Sequence, residues 1–149
     1  MVPSGQPGEG RRDRDLEERS ELIQVWLALA EEKLEVAREL LELSRFDDVV
    51  SKAYYVMFYS AKAALLAVDV DLHRHAGVVS QFGQHFVKRG YADKRYSRIL
   101  ARAMQAREAS DYDPQTRASR QDAEQAISDA EAFLEKAREI LGKMLSEDT

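Results

Sequence analysis

Residues 47–69 read DDVVSKAYYVMFYSAKAALLAVD and form the most apolar continuous stretch of the chain. The stretch is longer than an ordinary strand and contains no Pro or Gly, so we predict a central helix there. Asp47 or Asp48 offers a carboxylate to the free amides of its first turn. Lys52 and Lys62 interrupt the apolar run, which argues against a membrane span of roughly 20 apolar residues.

The central helix has two different faces when its residues are placed at about 100° intervals. The side predicted to lie in the core carries Val50, Tyr54, Met57, Phe58, Ala61 and Leu65. The second side carries Lys52, Tyr55, Tyr59, Lys62 and Leu66. Tyr55 and Tyr59 make this second side too apolar for free exposure. We expect it to meet either the fourth helix near Arg107 or a second copy of the protein.

Composition favours a single all-α domain. The 149 residues are 44% hydrophobic and 33% charged, with seven Gly and three Pro, and three of these Gly and two of these Pro lie in the first ten residues. The chain contains no Cys, which excludes disulfides, thiol catalysis and Cys-based metal sites. A net charge of -5 argues against nonspecific coating of nucleic acid. Since no apolar signal segment is evident, we expect a cytoplasmic protein.

The remaining helices follow from apolar residues that repeat at spacings of three and four. We expect residues 1–15, rich in Gly, Pro and charge, to be a flexible tail and residues 16–146 to be one helical domain. Further helices are predicted over residues 16–44, 77–88, 93–112 and 119–145, with Gly90 and Asp113-Pro114 as stop signals. The predicted architecture is an up-and-down helical bundle of four to five helices.

Arg107 stands out in the fourth helix because it shares a face with apolar residues. On a helical wheel it falls with Tyr96, Leu100 and Ala103, while the other basic residues of the helix gather on the opposite side. One interpretation is a buried ion pair with Asp111, four residues later, that fixes helix register. The other is an arginine at a cleft, where its planar fork binds a phosphate.

Positive charge is concentrated around this helix. Residues 88–107 contain seven Lys or Arg, Arg102 among them, and one acid, Asp93, a local net of +6. Such a stripe could attract RNA or a nucleotide, or could lie beside acidic residues of another helix or a partner. His73, His75 and His85 lack the spacing of a metal site, and no Gly-rich phosphate loop is present, so neither a metal nor a cofactor is predicted.

Four pieces of sequence together resemble the HEPN domain family, in its small stand-alone prokaryotic form. They are AYYVMFYSAKAAL at 53–65, HAGVVSQF at 75–82, AREASDY at 106–112, and AEQAI with AEAFL at 123–127 and 130–134. The likeness covers roughly residues 20–145. It implies a helical bundle that commonly forms a homodimer, binding of nucleotide or RNA, and partnership with a minimal nucleotidyltransferase in toxin–antitoxin pairs. His75 matches a position that such proteins often share without an assigned chemical role.

Active members of that family are metal-independent ribonucleases marked by Arg, four to six further residues, and His. Here Arg107 is followed by EASDYDPQ, and Tyr112 stands where a histidine is expected. A phenol with a pKa of about 10 is a poorer base at neutral pH than imidazole. The resemblance therefore implies a phosphate-binding corner of Arg107, Asp111 and Tyr112, to which we add Arg102 and Tyr55.

Three functions are open at this point. The leading hypothesis is a nucleotide- or RNA-binding protein that works with a nucleotidyltransferase. The alternative is a ribonuclease toxin that uses Arg107 and Tyr112, and a second alternative is a dimerisation module without a ligand.

Overall fold

The computed structural model describes residues 9–147, which form a bundle of α-helices. The helices are α1 (Glu9–Glu42), α2 (Phe46–Leu66), α3 (Val78–Phe82), α4 (Lys94–Tyr112) and α5 (Arg120–Glu147), with a π-helical segment (Gly83–Val87) directly after α3. No strand occurs within residues 9–147. The predicted all-α bundle of four to five helices is confirmed.

Helix α2 lies at the centre of the bundle and packs against α1, α5 and α4. Tyr54, Met57 and Leu65 are at most 1% exposed, and each contributes about 1.5–3 kcal/mol through burial. The predicted inner side of α2 is therefore in the core, with Val50 half-buried at its edge. Although α2 is apolar, no helix in the described part of the chain is long and apolar enough to cross a membrane.

The predicted short helix at 77–88 proves to be two segments. A π-helical turn follows α3, with the Lys88 amide donating to the Gly83 carbonyl five residues back at 2.9 Å. Phe82 and Phe86, four residues apart, both point inward and are at most 1% exposed. Their ring centroids are 5.3 Å apart, and Phe133 of α5 lies 4.9 Å from Phe82. This aromatic cluster attaches the connecting segment to α5.

Helix ends follow local rules in most places. Asp93 caps α4 by accepting from the Arg95 amide at 2.8 Å, and α4 ends at the extended Asp113 before Pro114. Gly90 adopts a left-handed φ of +83°, as expected of a helix stop. Helix α5 begins one residue after Ser119, whose hydroxyl accepts from the Asp122 amide at 3.0 Å.

Two predicted helix boundaries differ from the structure by three residues or more. Helix α1 begins at Glu9 rather than residue 16, and residues 9–15 contain no proline that would prevent a helix. The rest of the predicted tail, residues 1–8, lies outside the described residues. Helix α2 ends at Leu66 rather than 69, because Asp69 adopts a left-handed φ of 62° and the Val70 amide closes back onto the Leu65 carbonyl.

The predicted cap of α2 is also wrong. The capping position is Arg45, which makes no side-chain cap bond, and Asp47 and Asp48 lie inside the first turn. The Asp47 carboxylate instead accepts from the Ala118 amide at 2.8 Å and from Arg117 Nη1 at 3.2 Å. A tertiary contact with the α4–α5 linker has replaced the local cap.

Candidate functional site

Arg107 of α4 is held against two tyrosines of α2. Its Cζ lies 5.0 Å from the ring centroid of Tyr54 and 5.6 Å from that of Tyr55. Its Nη1 donates to the Tyr55 hydroxyl at 3.1 Å, and the side chain is 21% exposed. Aromatic faces and a phenol oxygen thus hold a guanidinium that keeps one edge in solvent.

The expected partner of Arg107 is distant. An Asp111 carboxylate oxygen lies 4.0 Å from Nη1, and the Asp111 side chain is 61% exposed. Within residues 9–147, the buried Nε of Arg107 has no hydrogen-bond acceptor. A screened pair at this distance contributes little, so the geometry differs from a buried ion pair that fixes register. Some N–H groups of the Arg107 guanidinium therefore make no hydrogen bond to the side chains around it.

The sequence explains why α4 presents Arg107 to α2. Ile99 and Leu100 are the buried residues of α4, at 2% and 0% exposure, and they fix its rotation. Arg107 follows Leu100 by seven residues, which is close to two turns, so it lies on the same face. On α2, Tyr54 points into the core, and Tyr55 is turned by about 100° towards α4.

His75, from the loop between α2 and α3, completes the cluster. Its Nδ1 lies 2.7 Å from the Tyr54 hydroxyl oxygen. Its ring stacks on Phe58 with centroids 4.1 Å apart, and it meets the Tyr55 ring edge-on at 5.8 Å. The imidazole is half-buried. A loop histidine is thereby brought to the same pair of tyrosine rings as Arg107.

The environment shifts the protonation of two of these groups. Burial, together with the charges of Arg107 and Lys62, lowers the pKa of the His75 imidazole below its usual 6.5. Burial raises the pKa of Tyr54 to about 12, although the nearby Arg107 opposes this shift. At pH 7 the cluster therefore contains one cation, one neutral imidazole and a protonated phenol. We name Arg107, Tyr54, Tyr55 and His75 the Arg107 cluster.

The predicted site residues fall in three places. Tyr55 and Asp111 lie beside Arg107, as described. Tyr112 is 86% exposed, and five residues of helix turn it about 140° away from Arg107. Arg102 is turned equally far in the other direction, and its Nη2 donates to Asp129 of α5 at 2.9 Å.

Arg102 lies at the edge of a cavity between α4 and α5. The cavity has a volume of about 320 Å³ and lies between α4, α5, the start of α2 and the α4–α5 linker. Ala103, Ala106 and Ala126 are among the residues that form its walls. Asp129 is only 6% exposed and is neutralised by Arg102, while Gln125 donates to its second oxygen at 2.9 Å. Both carboxylate oxygens thus have partners inside the chain.

The histidines and acids of the described residues form no group of three that could hold a metal ion. His73 is 82% exposed and lies 3.9 Å from the Asp71 carboxylate. The clustering of side chains around Arg107 is thus built from aromatic rings and one imidazole rather than from carboxylates.

Sequence reasoning missed Tyr54 and His75 as parts of the cluster. Tyr54 falls on the core side of α2, where an apolar role is the default, and the family resemblance marks the position of His75 without assigning it a chemical role. One signal was available, because a buried tyrosine hydroxyl requires a hydrogen-bond partner. The sequence does not show which residue supplies that partner.

Comparison with known proteins gives consistent matches across most of the chain. Residues 23–140 match the family model of the HEPN domain. A Methanocaldococcus jannaschii protein whose name describes it as a candidate toxin is 37% identical over 125 residues, covering 84% of this chain and 92% of that protein. A second candidate toxin of the same organism is 31% identical over 112 residues, covering 75% and 76%. A Gloeobacter violaceus UPF0332 protein is 37% identical over 115 residues, covering 76% and 91%.

Proposed function

Because the chain belongs to the HEPN domain family, we propose that it is a nucleotide- or RNA-binding component of a toxin–antitoxin pair. In this proposal it acts in the cytoplasm with a minimal nucleotidyltransferase as its partner. The names of the two Methanocaldococcus jannaschii relatives support the toxin–antitoxin setting. The ligand-binding part rests on the Arg107 cluster.

One observation carries the proposal, namely that Arg107 is held in place while part of its hydrogen-bonding capacity is unused. The rings of Tyr54 and Tyr55 restrict the guanidinium, so little rotamer entropy is lost when a ligand binds. Tyr55 accepts from one nitrogen, and the 21% of the side chain that is exposed leaves other donors for a ligand. A planar fork of this kind suits the oxygens of a phosphate group.

The test compares two arginines of the same helix. Titration calorimetry with ATP and with a short single-stranded RNA would be run on wild type, Arg107→Ala and Arg98→Ala. Arg98 is exposed on α4, so its removal makes the same change in net charge without touching the cluster. Loss of one charge-assisted contact of about 1.5–3 kcal/mol predicts binding weakened roughly 10- to 100-fold in Arg107→Ala only.

Equal binding by wild type and Arg107→Ala would refute the site assignment. Equal weakening in both variants would point instead to general attraction by the basic stripe, which added salt reduces.

Cleavage is tested with the same proteins. Because Tyr112 is exposed and turned away from Arg107, we expect no RNA cleavage in EDTA by wild type. Cleavage that survives EDTA and disappears in Arg107→Ala would favour the ribonuclease alternative over binding.

The partner is tested by co-expression with a minimal nucleotidyltransferase encoded beside this chain. We expect the two proteins to copurify at a fixed ratio. Separate elution in gel filtration would contradict the proposed partnership.

A homodimer is the second part of the proposal, and α1 supplies the observation that favours it. Leu22 and Val25 are 39% and 51% exposed, and Trp26 and Leu29 continue the same stripe at helical spacing. Trp26 stacks on Tyr59 of α2 with centroids 5.3 Å apart, so the stripe continues onto the second face of α2. A surface of this composition is typical of an interface.

Sedimentation equilibrium of wild type and Val25→Asp tests the dimer. We expect wild type to dimerise and the variant, which places a charge in the stripe, to remain monomeric. A monomeric wild type at micromolar concentration would contradict the homodimer.

A further inference from the structure

The hydrogen bond between Tyr54 and His75 has a defined direction. Tyr54 is 0% exposed, and its hydroxyl hydrogen needs an acceptor because a buried donor without one is costly. Among the described residues, Nδ1 of His75, at 2.7 Å, is the acceptor within reach. A phenol whose pKa is raised to about 12 keeps its hydrogen at neutral pH. Tyr54 therefore donates, and Nδ1 accepts.

This direction determines where the imidazole hydrogen is. A neutral imidazole has one N–H group and one acceptor nitrogen, so acceptance at Nδ1 places the hydrogen on Nε2. The Nδ1 edge faces the buried hydroxyl of Tyr54, and one face of the ring stacks on Phe58. Among the described residues, Nε2 of the half-buried His75 is not one of the buried polar atoms that lack a partner, so the edge that carries Nε2–H reaches solvent.

Arg107 and His75 adjoin the same two rings. The guanidinium carbon lies 5.0 Å from the Tyr54 centroid and 5.6 Å from the Tyr55 centroid, and the His75 centroid lies 5.6 Å and 5.8 Å from the same two rings. The Tyr55 hydroxyl accepts from Arg107, which leaves its own hydrogen available. Arg107 and His75 thus place two donors beside this pair of rings, and the Tyr55 hydroxyl supplies a third.

We propose that His75 is a second phosphate ligand of the Arg107 cluster, with its Nε2–H donating to a phosphate oxygen while Arg107 binds the others. The inference rests on the proposed function and specifies its chemistry, which is the binding of a phosphate group by a cation and a neutral donor. Tyr54 is the positioning residue, because it selects the imidazole tautomer.

The tautomer with hydrogen on Nε2 allows His75 to bind a phosphate but prevents it from acting as a base in cleavage. To act as a base towards a ribose hydroxyl, the imidazole must present a nitrogen with a free lone pair. Nδ1 is engaged by Tyr54, and Nε2 carries the hydrogen, so the neutral ring has no free lone pair. The cluster holds a phosphate without activating a nucleophile against it.

Protonation of His75 is coupled to the ligand. The charged groups that face it are Arg107 from α4 and Lys62 from α2, and both disfavour a second positive charge. In its own loop, Asp71 lies 3.8 Å from Lys62 and 3.9 Å from His73, so that acid has other partners. A bound phosphate adds negative charge beside the imidazole, and His75 then accepts a proton at higher pH than in the free protein.

Nuclear magnetic resonance of the uniformly ¹⁵N-labelled protein tests the tautomer directly, since the chain has three histidines. Long-range nitrogen–hydrogen correlations at neutral pH should show the hydrogen of His75 on Nε2. Tyr54→Phe should weaken this preference towards that of a free histidine side chain, in which both tautomers are populated. On addition of inorganic phosphate, ATP or short RNA, the midpoint of the His75 titration should rise.

Calorimetry of His75→Phe, with His73→Phe as the matched control in the same loop, measures the contact itself. Phenylalanine preserves the stacking on Phe58 but removes both the Nε2 donor and the acceptor of the Tyr54 hydroxyl, and binding should weaken about 5- to 10-fold in His75→Phe alone. The ATP and RNA arms show whether a nucleotide or a polynucleotide phosphate is preferred.

The outcomes separate the two proposals. If Arg107→Ala weakens binding and His75→Phe does not, the role of His75 is refuted and the proposed function stands. If neither variant weakens binding, the site assignment itself fails. If His75→Phe does not fold, the spectra of the wild-type protein decide. The inference is refuted if the imidazole hydrogen is found on Nδ1, or if saturating ligand leaves the His75 titration unchanged.

Discussion

Replacement of Asp47 by alanine tests how the bundle holds the linker between α4 and α5. The Asp47 carboxylate accepts from the Ala118 amide at 2.8 Å and from Arg117 Nη1 at 3.2 Å, and its side chain is 31% exposed. The residue also lies in the first turn of α2, where a negative charge interacts favourably with the helix dipole. Asp47→Ala removes all three contributions at once.

The contributions differ in size. A hydrogen bond from a backbone amide to a carboxylate is worth about 1.5–3 kcal/mol. The ion pair with Arg117, a side chain that is 75% exposed, adds at most about 1 kcal/mol, and the helix dipole adds about 0.3–1 kcal/mol. Because Asp47 is partly exposed, we take the lower part of the combined range and expect Asp47→Ala to lower the free energy of unfolding by about 2–3 kcal/mol.

Asp48→Ala is the matched control, because the neighbouring acid is exposed and shares the helix-dipole contribution. We expect it to cost about 0.3–1 kcal/mol. Urea unfolding followed by far-ultraviolet circular dichroism, at one protein concentration, gives both values. If the two variants lose equal stability, Asp47 acts only through the helix dipole and the proposed anchoring of the linker is refuted.

Three further predictions concern other parts of the bundle. Gly90→Ala should lower the free energy of unfolding by about 1–2 kcal/mol, because the left-handed φ of +83° is unfavourable for alanine. The new Cβ would meet no atom within 4 Å, so the cost comes from the backbone alone. An unchanged urea midpoint would contradict this. Phe133→Ala should lower the free energy of unfolding by about 3–5 kcal/mol in the same assay, since the ring is fully buried against Phe82. A decrease below about 1 kcal/mol would contradict the role of the aromatic cluster. Wild type should lose stability as the pH falls below about 6.5, because the unfolded chain then binds a proton that His75 in the folded protein resists. His75→Phe should lose less stability between pH 7 and pH 5 in thermal melts, and equal losses would refute this linkage.

Helical periodicity was sufficient to predict the all-α bundle, and it also indicated the face of α4 on which Arg107 lies. Both depend on residues within one helix, where spacings of three and four decide which side chains share a face. The same local logic located the end of α4 at Asp113 and the stop at Gly90. It was wrong for Asp47, because a distant backbone amide competes for the same carboxylate.

The sequence by itself determined which faces of the helices are apolar, and the tertiary structure decided what each face meets. Tyr55 contacts Arg107 across 52 positions, and Tyr54 contacts His75 across 21, through a loop whose path has no periodic signal. Arg102 lies five residues from Arg107 but pairs with Asp129 of α5. Rotation and packing of whole helices place these side chains together, and the energy of that packing is distributed over the entire core. The sequence singled out His75 only by resemblance, and its position beside Arg107 was decided by the assembly of the helices.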